Sequence, residues 1–469
     1  MQLADHQRSL LDQYLDHFRP LVGDRRTERT FRGTVQGIVG AETLVCSRIA
    51  AFSPVLAAES HNGGQRIRRM ASGQTTKRSE IDADHLVQRL QERGVEQLSA
   101  EEEEVWAIID SSELRKPYAR EMQDLMRVRS LGGQGTVPGY RTLNVLGIGT
   151  NKKRGILYHR LFSSNEGGFE SESGEIQRAL DSVGKALEGQ RGKVTYIGDT
   201  QFDDVAVWGT IWEQGNHLMC RLKHRERLVK EPKSGTGPLE GAKIWQVVSI
   251  EQASRRALEL ARVSTKMVVR QKGQRREKRQ AVTAIIAACP IRVQYQVDVR
   301  SRKNGAIREK DVWLVEVRIE KVGLAPWLLV TDWPVVDGET AMTAFRMYRQ
   351  RWAVEDSFKF TKQILGWEDV QLLSLEAART LVALGWVAAG FLYELGVTLE
   401  WSEVQLLGRL GGWGYRRDRP PGKTILTRGL QRLLDRWTTD NILRDEIARH
   451  GQLPSRIAAF LGPNPLPIT

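Results

Sequence analysis

Leu10, Leu11, Tyr14, Leu15 and Phe18 recur at three- and four-residue intervals, the spacing of one apolar helical face, and residues 1 to about 70 read as helical. The stretch from Ser60 to Ser79 holds Arg66, Arg68, Arg69, Lys77 and Arg78 and no acid. Its Gly63-Gly64 pair and Gly73 predict a cationic loop able to follow a phosphate backbone. Glu101 to Glu104 reads as a solvated helix turn. The pattern then changes. Val105-Trp106-Ala107-Ile108-Ile109 is a short apolar run closed by Asp110, and Val194-Thr195-Tyr196-Ile197-Gly198 is a second, closed by Asp199. Both predict buried strands ending in a carboxylate. Tyr140 to Ile148, Gly155 to Phe162 and His217 to Leu222 are further strand candidates, while Ile176 to Leu187 and Phe202 to Trp212 have helical spacing.

Three strands, a helix, a strand, a helix and a strand is the element order of a ribonuclease-H-like core, an α/β fold with a mixed sheet and crossover helices on its faces. From Lys223 the runs Lys243 to Ile250, Ala281 to Val299 and Val312 to Ile319 alternate with basic loops, which predicts a β-rich insertion. Residues 338 to 365 read as helical. Beyond them helices are broken by Gly411-Gly412 and by Pro420-Pro421-Gly422, and the tail from Pro463 to Pro467 reads as unstructured. The predicted organisation is a helical region over 1–80, a catalytic core over 81–222 and 328–370, a β-rich insertion over 223–327, and a helical region over 371–469 that is a candidate for dimerisation.

Composition narrows the function classes. With 41% hydrophobic and 27% charged residues, the chain of 469 can bury a core, which excludes wholesale disorder. Lys+Arg 70 against Asp+Glu 57 gives a net charge of +13, an excess that favours a polyanionic partner, nucleic acid first. No run reaches the roughly 18 apolar residues of a membrane span. The best candidate, Leu381 to Tyr393, contains Gly385 and Gly390, stops at Glu394 and predicts a buried helix. No basic stretch followed by an apolar core opens the chain, so no secretory signal is expected. Cys46, Cys220 and Cys289 form no C-x-x-C pair, which fits a reducing compartment. The expected location is the cytoplasm.

Tyr348, Arg351, Glu355 and Lys362 stand at i, i+3, i+7 and i+14. At about 100° per residue they fall within roughly 60° of one another on a single helix. Such a face presents three groups suited to phosphate and one carboxylate suited to a metal, although a solvated charged face has the same spacing. Asp110 and Asp199 tip the balance. With Glu355 they supply three hard oxygen donors from two strands and one helix, the set that two Mg²⁺ ions about 4 Å apart require. Other motifs fail. Gly422-Lys423-Thr424 lacks the upstream glycine of a phosphate-binding loop, Gly147-x-Gly149 lacks the third glycine of a dinucleotide site, and the histidines show no H-x-x-x-H pair.

Tyr-x2-Arg-x3-Glu-x6-Lys at 348–362, Ile-Ile-Asp at 108–110 and Tyr-Ile-Gly-Asp at 196–199 together resemble DDE transposases of the insertion-sequence-four group. The resemblance is strongest over about 105–370. It implies a cut-and-paste DNA transposase with Asp110, Asp199 and Glu355 as catalytic residues and ligands of two Mg²⁺ ions, Mn²⁺ being the natural substitute. It further implies hydrolytic nicking, a DNA hairpin intermediate and strand transfer into target DNA. Tyr348, Arg351 and Lys362 would contact phosphates near the cut. By the same resemblance, Trp327, 21 residues before Tyr348, would stack on a base flipped from the duplex. Arg66, Arg68 and Arg69, and in the insertion Arg275, Arg276, Lys278 and Arg279, are the expected contacts to double-stranded DNA. The active form would be a homodimer on two transposon ends, with no membrane partner. Where the family often has Asp-Arg-Glu-x-Asp, this chain has Asp199-Thr200-Gln201-Phe202-Asp203, which leaves Asp203 without a role. Two other readings stay open: a non-catalytic DNA-binding regulator, and a plain two-metal nuclease.

Overall fold

A computed structural model describes residues 10–57, 60–75, 78–99, 104–131, 133–149, 153–190, 192–233, 244–269, 278–297, 306–320, 324–414, 420–455 and 457–458. Helices α1 (10–16), α2 (Arg25–Ala41), α3 (Cys46–Ala51), α4 (Ser60–Ala71) and α5 (Ala83–Ser99) come first. The basic segment read as a loop is therefore largely a helix. Gly63 and Gly64 serve packing there: a Cβ on Gly63 would stand 3.0 Å from Ala50 Cβ, and one on Gly64 3.3 Å from Ser47 Cα. The glycines let α4 lie close on α3, so they are contact residues and not punctuation. Glu101 to Glu103 and the tail from Pro463 to Pro467 lie outside the described residues.

Among the described residues, twelve strands form one sheet. They are β1 (Val105–Arg115), β2 (Met126–Arg129), β3 (Thr136–Gly149), β4 (Arg154–Phe162), β5 (Val194–Gly198), β6 (His217–Arg221), β7 (Leu228–Pro232), β8 (Trp245–Ser249), β9 (Leu258–Val269), β10 (Lys278–Gln296), β11 (Ile307–Ile319) and β12 (Trp327–Thr331). The order is β2-β3-β1-β5-β6-β12-β11-β10-β7-β8, with β4 also on β3 and β9 also on β10. β3 runs antiparallel to both β1 and β4, whereas β1, β5 and β6 are mutually parallel neighbours. Strands from 223–327 thus continue the sheet through β12 rather than starting another.

Helix α6 (Glu172–Ala186) joins β4 to β5 and α7 (Val205–Glu213) joins β5 to β6. Each starts on a side-chain cap, Ser171 accepting from Gly174 N and Asp204 from Ala206 N. α8 (Ile250–Ser254) follows β8, and α9 (Gly338–Arg349), α10 (Trp352–Gln363), α11 (Leu375–Thr398), α12 (Trp401–Leu410) and α13 (Lys423–His450) follow β12.

Period-two alternation divides the core. Ile108, Ile197, Met219 and Leu329 face the side covered by the N- and C-terminal helices. Ala107, Ile109, Tyr196, Cys220 and Val330 face α6 and α7. Both faces of β5 are buried, which explains its unbroken apolar run. α11 is the one described helix long and apolar enough to cross a membrane, and 78% of its apolar window is buried inside the protein. The apolar segment read from 381 to 393 is the middle of that core helix.

Candidate catalytic site

The last paired residues of the parallel β1–β5 ladder are Ile108 and Ile197. Two residues beyond that pair stand Asp110, still within β1, and Asp199, the first residue past β5, so the register brings them near enough for the Asp199 charge to act on Asp110. Alternation turns Asp110 to the same face as Ile108, where Val354 and Phe358 of α10 pack. The strand does not stop at Asp110, as the sequence suggested. β1 runs on to Arg115 because β3 pairs with it along its whole length. Asp110 is 7% exposed, and its Oδ1 accepts from Ser111 N at 2.8 Å. Asp199 caps the turn at 200–202, its Oδ1 accepting from Gln201 N at 2.8 Å.

The helix predicted over 338–365 is two helices, breaking at Gln350 and Arg351. Four side chains on one exposed face is therefore not what forms. Tyr348 is 1% exposed, and its hydroxyl has no hydrogen-bond partner among the described residues. Burial pushes that phenol up to about 12. Arg351, also buried, spans the gap between strands and helix. Its Nη1 stands 3.6 Å from Asp110 Oδ2 and its Nη2 donates to Glu355 Oε1 at 2.6 Å. Glu355 is the more exposed of the two partners. Lys362 Nζ donates to Ser112 Oγ at 2.7 Å and to Glu113 O at 2.6 Å, tying α10 to β1. Burial lowers its pKa.

Electrostatics agrees with this geometry. Burial first, then the Asp199 and Glu355 charges, push the Asp110 carboxyl up to about 7, with Arg351 and the Ser111 N–H only partly offsetting them. The buried acid thus lacks enough positive charge around it. Hard carboxylate oxygens in mutual repulsion fit a divalent cation of the Mg²⁺ type, and Asp110 with Asp199 pass that test. Glu355 is engaged by Arg351, and among the described residues no three His, Cys, Asp or Glu side chains stand close enough to hold a metal ion.

A stability prediction follows from the raised Asp110 pKa. The neutral carboxyl is the form the fold favours, so its contribution is full below the unfolded value near 4 and is lost as pH rises through about 7. In metal-free protein, thermal melts should show a fall in stability from pH 5 to pH 8 that Asp110→Asn flattens. Parallel pH curves for the two proteins would remove Asp110 as the cause.

Trp327 does not stand ready for a base. It is 5% exposed and packs against Phe345, Tyr348 and Trp352 with ring centroids 6.4, 5.7 and 5.5 Å away. Trp327→Phe should cost about 1–2 kcal/mol in a denaturant melt, and wild-type stability would free the residue from this core role. Trp352, which sequence reading passed over, is the exposed member of that cluster and carries the Arg351 guanidinium 5.4 Å over its ring. Its place beside Arg351 in the motif run was the available clue. Gln201 was also missed: Ser111 Oγ donates to its Oε1 at 2.5 Å, tying β1 to the turn that follows β5.

Asp203 acquires a structural place. Its side chain is fully buried, its Oδ2 accepts from Lys223 N and His224 N at 2.6 and 2.9 Å, and Arg227 pairs with its Oδ1. It pins the turn that leaves β6, where the sheet passes into 223–327. Of the expected DNA contacts, Arg68 and Arg69 are exposed on α4 and Arg66 is half-buried. Arg275 and Arg276 lie outside the described residues. Lys278 and Arg279 begin β10.

Residues 175–389 match the family model of the transposase DDE domain. The matched span contains Asp199, Tyr348, Arg351, Glu355 and Lys362, and Asp110 lies upstream of it. No curated protein is significantly similar to the chain. The match supports a transposase function, and with it a DNA partner and metal-dependent DNA cleavage.

Proposed function

We propose that this protein is a cut-and-paste DNA transposase that cleaves transposon ends and joins them to target DNA by metal-dependent phosphoryl transfer. The observation that carries the reading is the placement of Asp110 and Asp199 just beyond the last pair of the parallel β1–β5 ladder, with Arg351 of the α9–α10 break reaching both Asp110 and Glu355. The sheet order β4-β3-β1-β5-β6, antiparallel at one side and parallel at the other, supports a ribonuclease-H-like core. The finer likeness, to the insertion-sequence-four group and within it to the Tn-five transposase, rests on the Tyr-Arg-Glu-Lys spacing.

Asp110, Asp199 and Glu355 would hold two Mg²⁺ ions, which supply an activated water or 3′-hydroxyl and stabilise the leaving oxygen. Arg351 and Lys362 would neutralise phosphate charge beside the cut, whereas Tyr348 is buried against Trp327 and away from such a contact. Hairpin formation and a homodimer on paired ends complete the proposal.

Incubating the purified protein with linear DNA carrying its own element's ends and Mg²⁺ tests the reading: nicked, hairpin and joined products are expected. Cleavage without joining would favour the plain nuclease, and binding without cleavage the regulator. The exposed basic face of α4 gives a quantitative check. Arg68→Ala with Arg69→Ala should reduce the slope of log affinity against log salt by about one unit per lost phosphate contact. An unchanged slope would put both residues in bulk solvent.

A further inference from the structure

The Gly422-Lys423-Thr424 run that failed as a phosphate-binding loop opens α13, with Gly422 at the cap position and Lys423 as the first helical residue. A cation there opposes the helix dipole, and the first turn of α13 holds no acid to offset it. The offset comes from other elements. Lys423 Nζ stands 5.0 Å from the centroid of the Phe360 ring and 5.7 Å from that of Tyr393, both buried, and it donates to Asp356 Oδ2 at 2.7 Å and to Asp356 O at 3.2 Å. Arg154, which opens β4, stands 3.8 Å from the same Asp356 Oδ2 and 5.9 Å from the Tyr393 centroid. Two cations from two elements therefore converge on one residue of α10.

That residue directly follows Glu355. α10 begins at the break after α9, its cap position is Arg351, and no side chain caps it. An uncapped first turn leaves its N–H groups without acceptors and frays readily. Glu355 lies in this first turn. Arg351 grips only its carboxylate, whereas Lys423 reaches the backbone, at the carbonyl one residue on. The far side of the contact is itself fixed. Along α13, the buried Gln431 donates to Val39 O at 3.0 Å and Asn441 Nδ2 to Pro54 O at 3.1 Å, fastening the helix to the N-terminal region. We infer that Lys423 is a positioning residue: through Asp356 it braces the first turn of α10 against α13 and so sets the place of Glu355. The inference rests on the proposed function only where it gives Glu355 a part in cleavage.

Amide hydrogen exchange on the full chain, without metal or DNA, reads the brace directly. In Lys423→Met the amides of α10 should exchange at least about tenfold faster than in wild type, while those of β5 and α11 keep their rates. Lys423→Arg should restore slow exchange, since a guanidinium also reaches a carboxylate and lies over aromatic rings. Unchanged α10 exchange in Lys423→Met, a rise shared by β5 and α11, or exchange in Lys423→Arg as fast as in Lys423→Met would each overturn the inference; the shared rise would make Lys423 a general stabilising residue. Cleavage supplies the second readout. At saturating end DNA in Mg²⁺, Lys423→Met should cleave about tenfold more slowly, with an affinity for that DNA within about threefold of wild type. A wild-type rate, or a loss confined to DNA affinity, would overturn the positioning role. If the wild-type protein itself does not cleave, the transposase reading falls, and the exchange rates still decide whether Lys423 braces α10.

Discussion

Asp110→Asn, Asp199→Asn and Glu355→Gln should each slow cleavage of transposon-end DNA by about a thousandfold or more, equivalent to about 4 kcal/mol of transition-state stabilisation. The substitutions keep the local hydrogen bonds. Asn at 110 or 199 retains an acceptor for Ser111 N or Gln201 N, and Gln at 355 retains one for Arg351. Only the charge that a divalent cation needs is removed. Affinity for end DNA should change by less than about threefold, because phosphate contacts from basic residues dominate it. Asp110→Asn should melt no earlier than wild type without metal, since burial already favours the neutral side chain there. Single-turnover cleavage in Mg²⁺ and filter binding at fixed salt measure the two quantities. A wild-type rate in any one variant removes that residue from the metal site, and wild-type rates in all three remove the enzymatic reading.

Much of the sheet was legible because buried parallel strands leave a plain trace, unbroken apolar runs such as Val194–Gly198. What local pattern could not carry was anything decided by a distant partner. Asp110 looked like a strand end because the apolar run stops there, yet β3 pairs with β1 on to Arg115. Gly63 and Gly64 looked like a loop because their role is to admit α3, far off in the reading of local propensity. The run from Tyr348 to Lys362 read as one helix because Tyr348, Arg351, Glu355 and Lys362 keep helical spacing. The break at Gln350–Arg351 instead drops Tyr348 into the core under Trp327 and turns Arg351 toward Asp110. The order of the three acids was readable, but not that a guanidinium would stand between two of them. Asp203 was undecidable from sequence, because its partners Lys223, His224 and Arg227 lie beyond an intervening helix and strand.

Arg351 stands where positive charge is needed, and that yields two effects of opposite sign. In the free protein its guanidinium is shared between Asp110 Oδ2 and Glu355 Oε1, so a divalent cation must compete with it. Arg351→Met keeps the length of the side chain and removes the charge. Without DNA, Mn²⁺ should bind this variant about tenfold or more tightly than wild type, because the repulsion between guanidinium and metal is gone and Glu355 is released. On DNA, the same variant should cleave about a hundredfold more slowly, having lost a charged contact to the phosphate at the cut. Arg351→Lys should fall between the two in both measurements, since an ammonium keeps the charge but not the two-pronged reach. Calorimetry or paramagnetic resonance of Mn²⁺ reads the first effect and single-turnover cleavage the second. If metal affinity and cleavage fall together, Arg351 supports the carboxylates in both states and does not compete with the cation. If neither moves, the bridge is a surface pairing of the resting protein with no part in the reaction.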